Sequence, residues 1–105
     1  MSLFQCIECQ QAKELLDSGA ILFDIRDQNS FLASHPSKAI NLNNDNFQSL
    51  LTPLAKEQAI LVLCYHGISS QSAAKFIAEQ GFSHLYSIDG GFEAWQASYP
   101  DDVSH

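Results

Sequence analysis

Basic side chains are scarce in this chain. Its 105 residues carry five lysines and arginines together, with Arg26 the single arginine, against twelve aspartates and glutamates, for a formal net charge of −7. Without a basic patch to release counterions from phosphates, nucleic-acid binding is disfavoured as a function class, and no nucleic-acid partner is expected. Long apolar runs are missing too. No segment approaches the roughly 20 residues that cross a bilayer, and the N-terminus has no basic region followed by an apolar stretch. The expectation is a soluble, cytoplasmic protein with no membrane partner. Cysteine is limited to Cys6, Cys9 and Cys64, an odd number that excludes a fully paired disulfide framework. No repeat, low-complexity segment or linker interrupts the chain, so residues 1–105 are expected to form one small domain around one core.

What is present is a regular alternation of short apolar runs and amphipathic stretches. Phe4 to Ile7 reads as an opening strand, Glu8 to Asp17 as a helix closed by Ser18-Gly19, and Ala20 to Ile25 as a buried strand. A polar stretch with helix potential runs on from Asp27 to about His35, where Pro36 breaks it, and Ala39 to Leu42 is a short strand. Asn43 to Leu54 reads as a helix capped by Asn44 or Asp45, with Phe47, Leu50, Leu51 and Leu54 on one face and Pro53 forcing an early end. Ile60 to Leu63 is a central strand, Ser70 to Gln80 a helix stopped by Gly81, and His84 to Ile88 the last strand. Asp89-Gly90-Gly91 then turns the chain into a helix from Phe92 to Ser98, and the tail from Pro100 to His105 is expected to fray. The pattern predicts an α/β fold: an open, mostly parallel sheet with helices on both faces. In such sheets ligands bind beyond the carboxyl ends of the strands.

The loop from Cys64 to Ser69 lies at such an end, between the apolar run Ile60–Leu63 and a helix. A loop entering a helix presents unpaired amides, and the helix dipole adds partial positive charge there. A cysteine in that position is expected to ionise easily, and the thiolate is its reactive form. Gly67 allows a positive φ, so that successive amides curl inward as an anion-binding nest. Ser69 and Ser70 are read first as helix caps, with substrate contact as a second role. His66 is either a substrate-binding group, partly protonated near neutrality, or a solvent-facing side chain.

Cys6 and Cys9 form a C-x-x-C pair, a pattern used for zinc or redox chemistry. Zinc would need two further ligands, and His35, His66, His84 and His105 show no paired spacing with it. Cys9, Ala12, Leu15 and Leu16 share helical spacing, which assigns Cys9 to the core. Arg26, Asp27 and Asp24 are read as structural, through an ion pair or hydrogen bonds that tie down a loop. His35 is read as a packing and hydrogen-bonding residue, Phe92 and Trp95 as anchors of the last helix, and Gly90 and Gly91 as backbone devices.

Three motifs agree with one family. The loop Cys64-Tyr65-His66-Gly67-Ile68-Ser69 matches the six-residue active-site loop of the rhodaneses. Asp24-Ile25-Arg26-Asp27, running to His35 and Ala39, looks like the first rhodanese signature, with Ser34 in place of its usual glycine and Pro36-Ser37-Lys38 in place of Ile-Pro-Gly. Ile88-Asp89-Gly90-Gly91-Phe92-Glu93-Ala94-Trp95 resembles the second signature closely. The chain thus resembles a single-domain rhodanese of the thiosulfate sulfurtransferase type over nearly its whole length. The resemblance implies a rhodanese-like fold and a ping-pong transfer of sulfur without metal or organic cofactor. Cys64 would take the outer sulfur of thiosulfate as a persulfide, release sulfite, and pass the sulfur to cyanide or a thiol, a thioredoxin-like protein included. Tyr65, His66, Gly67, Ile68, Ser69 and Ser70 would form the substrate and persulfide loop, with the amides of Tyr65 to Ser69 carrying most of the electrostatics. His66 would draw in thiosulfate or donate to the leaving sulfite.

Other functions fit less well. Phosphatases and arsenate reductases with this strand–loop–helix plan close the loop with an arginine six residues after the cysteine, a position held here by Ser70. A sulfur-relay module that moves a Cys64 persulfide between proteins remains the alternative. An inactive interaction domain is disfavoured, because the cysteine and its loop are present.

Overall fold

Ile60, Leu61, Val62 and Leu63 are all shielded from solvent, so this strand needs helices against both of its faces. The computed structural model, which describes residues 3–105, places it at the centre of a five-stranded sheet. In chain order the elements are β1 (Gln5–Ile7), α1 (Cys9–Asp17), β2 (Ile21–Asp24), α2 (Gln28–Ala33), β3 (His35–Pro36), β4 (Ile40–Asn41), α3 (Phe47–Leu51), β5 (Ile60–Leu63), α4 (Ser69–Glu79), β6 (Leu85–Ile88), α5 (Gly91–Ser98), a 3-10 turn (Pro100–Asp102) and β7 (Val103–Ser104). The sheet runs β1-β6-β5-β2-β4 with every neighbouring pair parallel, while β3 and β7 form a separate antiparallel ribbon.

The period-two alternation of side chains sorts the core into two layers. Leu22, Leu61, Leu63 and Ile88 pack against Ala12 and Leu16 of α1 and Phe92 and Trp95 of α5. Phe23, Ile60, Val62 and Leu85 pack on the other side against Leu51 of α3 and Ala74 and Ile77 of α4. This is the open parallel sheet with helices on both faces that the sequence pattern predicts. Among the described residues no helix is long and apolar enough to cross a membrane.

Two elements differ from expectation. The helix expected over residues 43–54 is confined to Phe47–Leu51. The Asn43 side chain accepts the amides of Asp45 and Asn46, and Asn46 accepts the amide of Asn43, so a side-chain-closed turn competes with the helix until Phe47. Asn46, not Asn44 or Asp45, holds the cap position.

The tail does not fray. Val103 and Ser104 pair with Pro36 and His35, the Ser37 amide donates to the Asp102 carbonyl, and Trp95 Nε1 donates to the same oxygen at 3.3 Å. Lys13 Nζ reaches Asp102 Oδ2 at 2.6 Å, which ties the tail to α1 as well. The polar tail carries no local pattern that announces this, because its partners lie far away in the chain. Removing residues 100–105 is expected to destabilise the protein by about 1–3 kcal/mol, the scale of a few lost hydrogen bonds and the cover over one aromatic ring. It should also red-shift the emission of Trp95, the single tryptophan. Denaturation followed by that fluorescence checks both, and an unchanged midpoint and emission maximum would separate the tail from the core.

Candidate active site

β5 ends at Leu63, and the next residue turns its sulfur back over the start of α4. Cys64 is buried. Its Sγ accepts the amide of Gly67 at 3.1 Å and the amide of Ser70 at 3.3 Å, and it lies 3.3 Å from Ser70 Oγ. Burial pushes the Cys64 thiol up, but the Ser70 hydroxyl and the amides of Ser70, Gly67 and His66 outweigh it, so the thiol ionises below its ordinary range. The sulfur meets the first turn of a helix, where unpaired amides and the dipole both favour negative charge.

Ser70 is not a cap. Ile68 occupies the cap position with no side-chain cap bond, and the helix begins at Ser69. The sulfur itself takes the first-turn amide that a capping oxygen would have taken. This frees the wholly buried Ser70 hydroxyl to reach Sγ on one side and Ser87 Oγ, at 2.7 Å, on the other. Ser69 is exposed at the first helical position.

Glycines set the path of the loop. Gly67 has φ +86°, and a Cβ on it would lie 2.8 Å from the Gly90 nitrogen and 3.0 Å from the Ile88 oxygen. Gly91 has φ +57°, and a Cβ there would lie 2.5 Å from the Tyr65 carbonyl carbon and 2.6 Å from its oxygen, as well as against the Cys64 oxygen. This close approach lets the first amides of α5 bond the loop: Phe92 N–H donates to Cys64 O at 2.7 Å and Glu93 N–H to Tyr65 O at 3.2 Å.

The remaining loop side chains point away from the sulfur's donors. The Tyr65 hydroxyl donates to Asp27 Oδ1 at 2.9 Å and meets the Ser30 hydroxyl, which pins the loop to the start of α2. Hydrogen bonds from the Ser30 hydroxyl, the Ser30 amide and the Tyr65 hydroxyl hold the Asp27 carboxyl below its usual range. His66 Nδ1 lies 2.9 Å from Glu93 Oε2, with both side chains well exposed, and Ile68 is 74 % exposed.

Arg26 has the structural role read for it. Its Nε and Nη2 grip the wholly buried Asp24 carboxylate, its Nη2 donates to Ser34 O at 2.7 Å, and its guanidinium carbon stands 4.0 Å from the Phe92 ring centre. Ser34, where the family signature has glycine, has φ −167°, an extended geometry that any residue adopts. His35 stacks on Phe31 and its Nδ1 lies 2.7 Å from the Phe31 carbonyl. Cys9 is buried, and burial first, then the Asp89 charge, pushes its thiol up, which is the wrong direction for a redox nucleophile.

A match to the rhodanese-like domain model spans residues 8–98. The chain belongs to the rhodanese-like domain family. It is 46% identical over 104 residues to the thiosulfate sulfurtransferase GlpE of Ectopseudomonas mendocina (strain ymp), covering 99% of this chain and 95% of that protein. It is 42% identical over 103 residues to the protein of the same name from Pseudomonas savastanoi pv. phaseolicola (strain 1448A / Race 6), covering 98% and 97% of the two chains. Among solved structures, reduced Bacillus anthracis CoADR-RHD superposes with a TM-score of 0.82 at 20% identity, over 98% of this chain and 18% of that longer one, a likeness of fold.

Two side chains bonded to residues of this loop escaped the sequence reading. Ser87 lies on a core strand, and its only signal is a polar residue at an inward-facing position. Glu93 pairs with His66 across the α5 start, and its signal was an acidic residue in a first helical turn.

Gly91→Ala is expected to destabilise the protein by about 3 kcal/mol or more, because overpacking and a positive φ act together. It should also displace the loop and slow alkylation of Cys64, measured by denaturation and iodoacetamide labelling. Asp24→Asn leaves a buried guanidinium without its counter-charge and should destabilise by about 3–5 kcal/mol, whereas replacing both partners by leucine should be milder. Comparing the midpoints of the single and double variants checks this.

Proposed function

We propose that this chain is a thiosulfate sulfurtransferase that works through a persulfide on Cys64. The observation that carries the reading is one buried sulfur, at the end of a central strand, with two amides and a hydroxyl converging on it within 3.3 Å. The Cys64 thiolate attacks the outer sulfur of thiosulfate. A bond forms between Sγ and that sulfur, the sulfur–sulfur bond of thiosulfate breaks, and sulfite leaves with the electron pair. In the second half, cyanide or a thiolate attacks the outer sulfur of the persulfide, takes it as thiocyanate or a new persulfide, and returns the Cys64 thiolate. Charge balances in each half, so no proton, electron or cofactor has to be supplied.

The donors suit this charge flow. The negative charge begins on Sγ and moves one atom outward, within the curl of the loop Tyr65, His66, Gly67, Ile68, Ser69 and Ser70, whose fixed amides need no reorganisation. His66, held beside Glu93 and exposed to solvent, is the loop side chain available to meet thiosulfate. Phosphoryl transfer is disfavoured. Ser70 stands where an arginine would grip the oxyanion, and Arg26 is committed to Asp24. The sulfur acceptor is a small thiol, cyanide or a thioredoxin-like protein, and the cytoplasm, which keeps thiols reduced, is the compartment that suits a free Cys64 thiolate.

The first test is intact mass after brief incubation with thiosulfate. Wild type is expected to gain one sulfur (about 32 Da) that cyanide removes as thiocyanate, and Cys64→Ser to gain none. Sulfur uptake should rise with pH as the thiol ionises, with a midpoint below that of an ordinary cysteine, since protonation removes the nucleophile. No gain from thiosulfate, together with a gain from a persulfide-bearing protein, would replace this reading with the relay module.

A further inference from the structure

β6 alternates between the two layers of the core, with Leu85 packed in the layer of α4 and Tyr86 and Ile88 in that of α1 and α5. Ser87 shares the side of Leu85 and is paired in register with Val62 of β5. A leucine or valine would suit that position. Instead a wholly buried hydroxyl stands there. A hydroxyl buried without a partner costs about 1–3 kcal/mol, so it persists only where it is bonded. Its partner is Ser70 Oγ, 2.7 Å away and also wholly buried, which in turn lies 3.3 Å from Cys64 Sγ.

We propose that Ser87 is a positioning residue for the sulfur chemistry of Cys64: its hydroxyl holds the Ser70 hydroxyl on Sγ. The inference rests on the reading of Cys64 as the nucleophile. A serine in the first turn of a helix has competing acceptors in the backbone carbonyls three and four residues before it, here Gly67 and His66. The Gly67 carbonyl already accepts Gln71 Nε2 at 2.9 Å. Ser87 removes the remaining freedom by offering Ser70 a second side-chain partner at 2.7 Å.

The pair also suits both protonation states of the cysteine. When Sγ is a thiolate it takes the single hydroxyl hydrogen of Ser70, and Ser70 Oγ accepts the hydrogen of Ser87. Accepting that bond polarises the Ser70 O–H and makes it a better donor to sulfur, by about 10–30% per bond in such chains. When Sγ is a thiol, it donates to Ser70 Oγ, and Ser70 donates to Ser87 Oγ. The two hydroxyls reverse together, no proton leaves either oxygen, and neither state leaves Ser70 unpaired.

The test is the pH profile of iodoacetamide alkylation at Cys64, resolved by peptide mass, for wild type, Ser87→Ala, Ser70→Ala and the double variant. Ser87→Ala is expected to lower the rate about two- to tenfold on the acid limb, the range of one hydrogen bond. The rate on the alkaline plateau, where the thiol is ionised in every variant, should be unchanged. The double variant should match Ser70→Ala, because Ser87 acts only through Ser70. A loss that is equal at every pH, no loss at all, or a loss that adds to that of Ser70→Ala would overturn the proposal. Alkylation needs no thiosulfate, so failure of sulfur uptake in the wild type would count against the proposed function and leave this result readable.

Discussion

The backbone of Cys64 and Tyr65 lies so close to Gly91 that no side chain fits between them. The rest of the site depends on that contact. It lets the first amides of α5 bond the carbonyls of Cys64 and Tyr65, which turns the other ends of those two peptide units, the amides of Tyr65 and His66, away from α5, and the His66 amide is one of those that favour the Cys64 thiolate. Gly67, pressed against Gly90 and the Ile88 carbonyl, completes the curl against the same turn. Two helices on opposite faces of one sheet thus hold a single cysteine. α5 fixes the main chain of the loop, and α4 supplies the amide and hydroxyl that meet Sγ.

A protein with a net charge of −7 is an unexpected host for an anionic substrate. One carboxylate around the loop meets a permanent opposite charge, and the other two are hydrogen-bonded or face a histidine. Asp24 is neutralised by Arg26, Asp27 accepts hydrogen bonds from Ser30 and Tyr65, and Glu93 faces His66. Distant carboxylates are screened beyond about 8 Å at physiological ionic strength. What an incoming anion meets at short range is backbone dipole, which does not titrate.

The buried Asp24–Arg26 pair shows how a charge can serve position instead of chemistry. The guanidinium spans the Asp24 carboxylate, the Ser34 carbonyl and the Phe92 ring, and so joins the ends of β2 and α2 to the start of α5. Tyr65 adds a second tie from the loop to α2. A buried ion pair is weak evidence for net stability. Its contribution here is geometric, because it holds together the elements that meet at the mouth of the site.

The sequence by itself determined the layer architecture, the strand that ends in Cys64 and the glycines that turn the loop. Each is written in a local pattern: a short apolar run, helical spacing, or glycines that mark special backbone geometry. Local chemistry misled where a long-range partner prevailed. Ser70 reads as a cap, yet the cysteine sulfur takes the capping amide and draws the hydroxyl inward. The tail from Pro100 reads as loose, yet Pro36, Trp95 and Lys13 hold it. The helix expected from Asn43 is delayed by asparagine side chains whose hydrogen bonds no hydrophobic period reveals. Only the tertiary structure decided that Ser87 stands behind Ser70 and that Glu93 faces His66. Those pairs join residues 17 and 27 positions apart in the chain, and their energy resides in distances that exist only once the sheet has assembled.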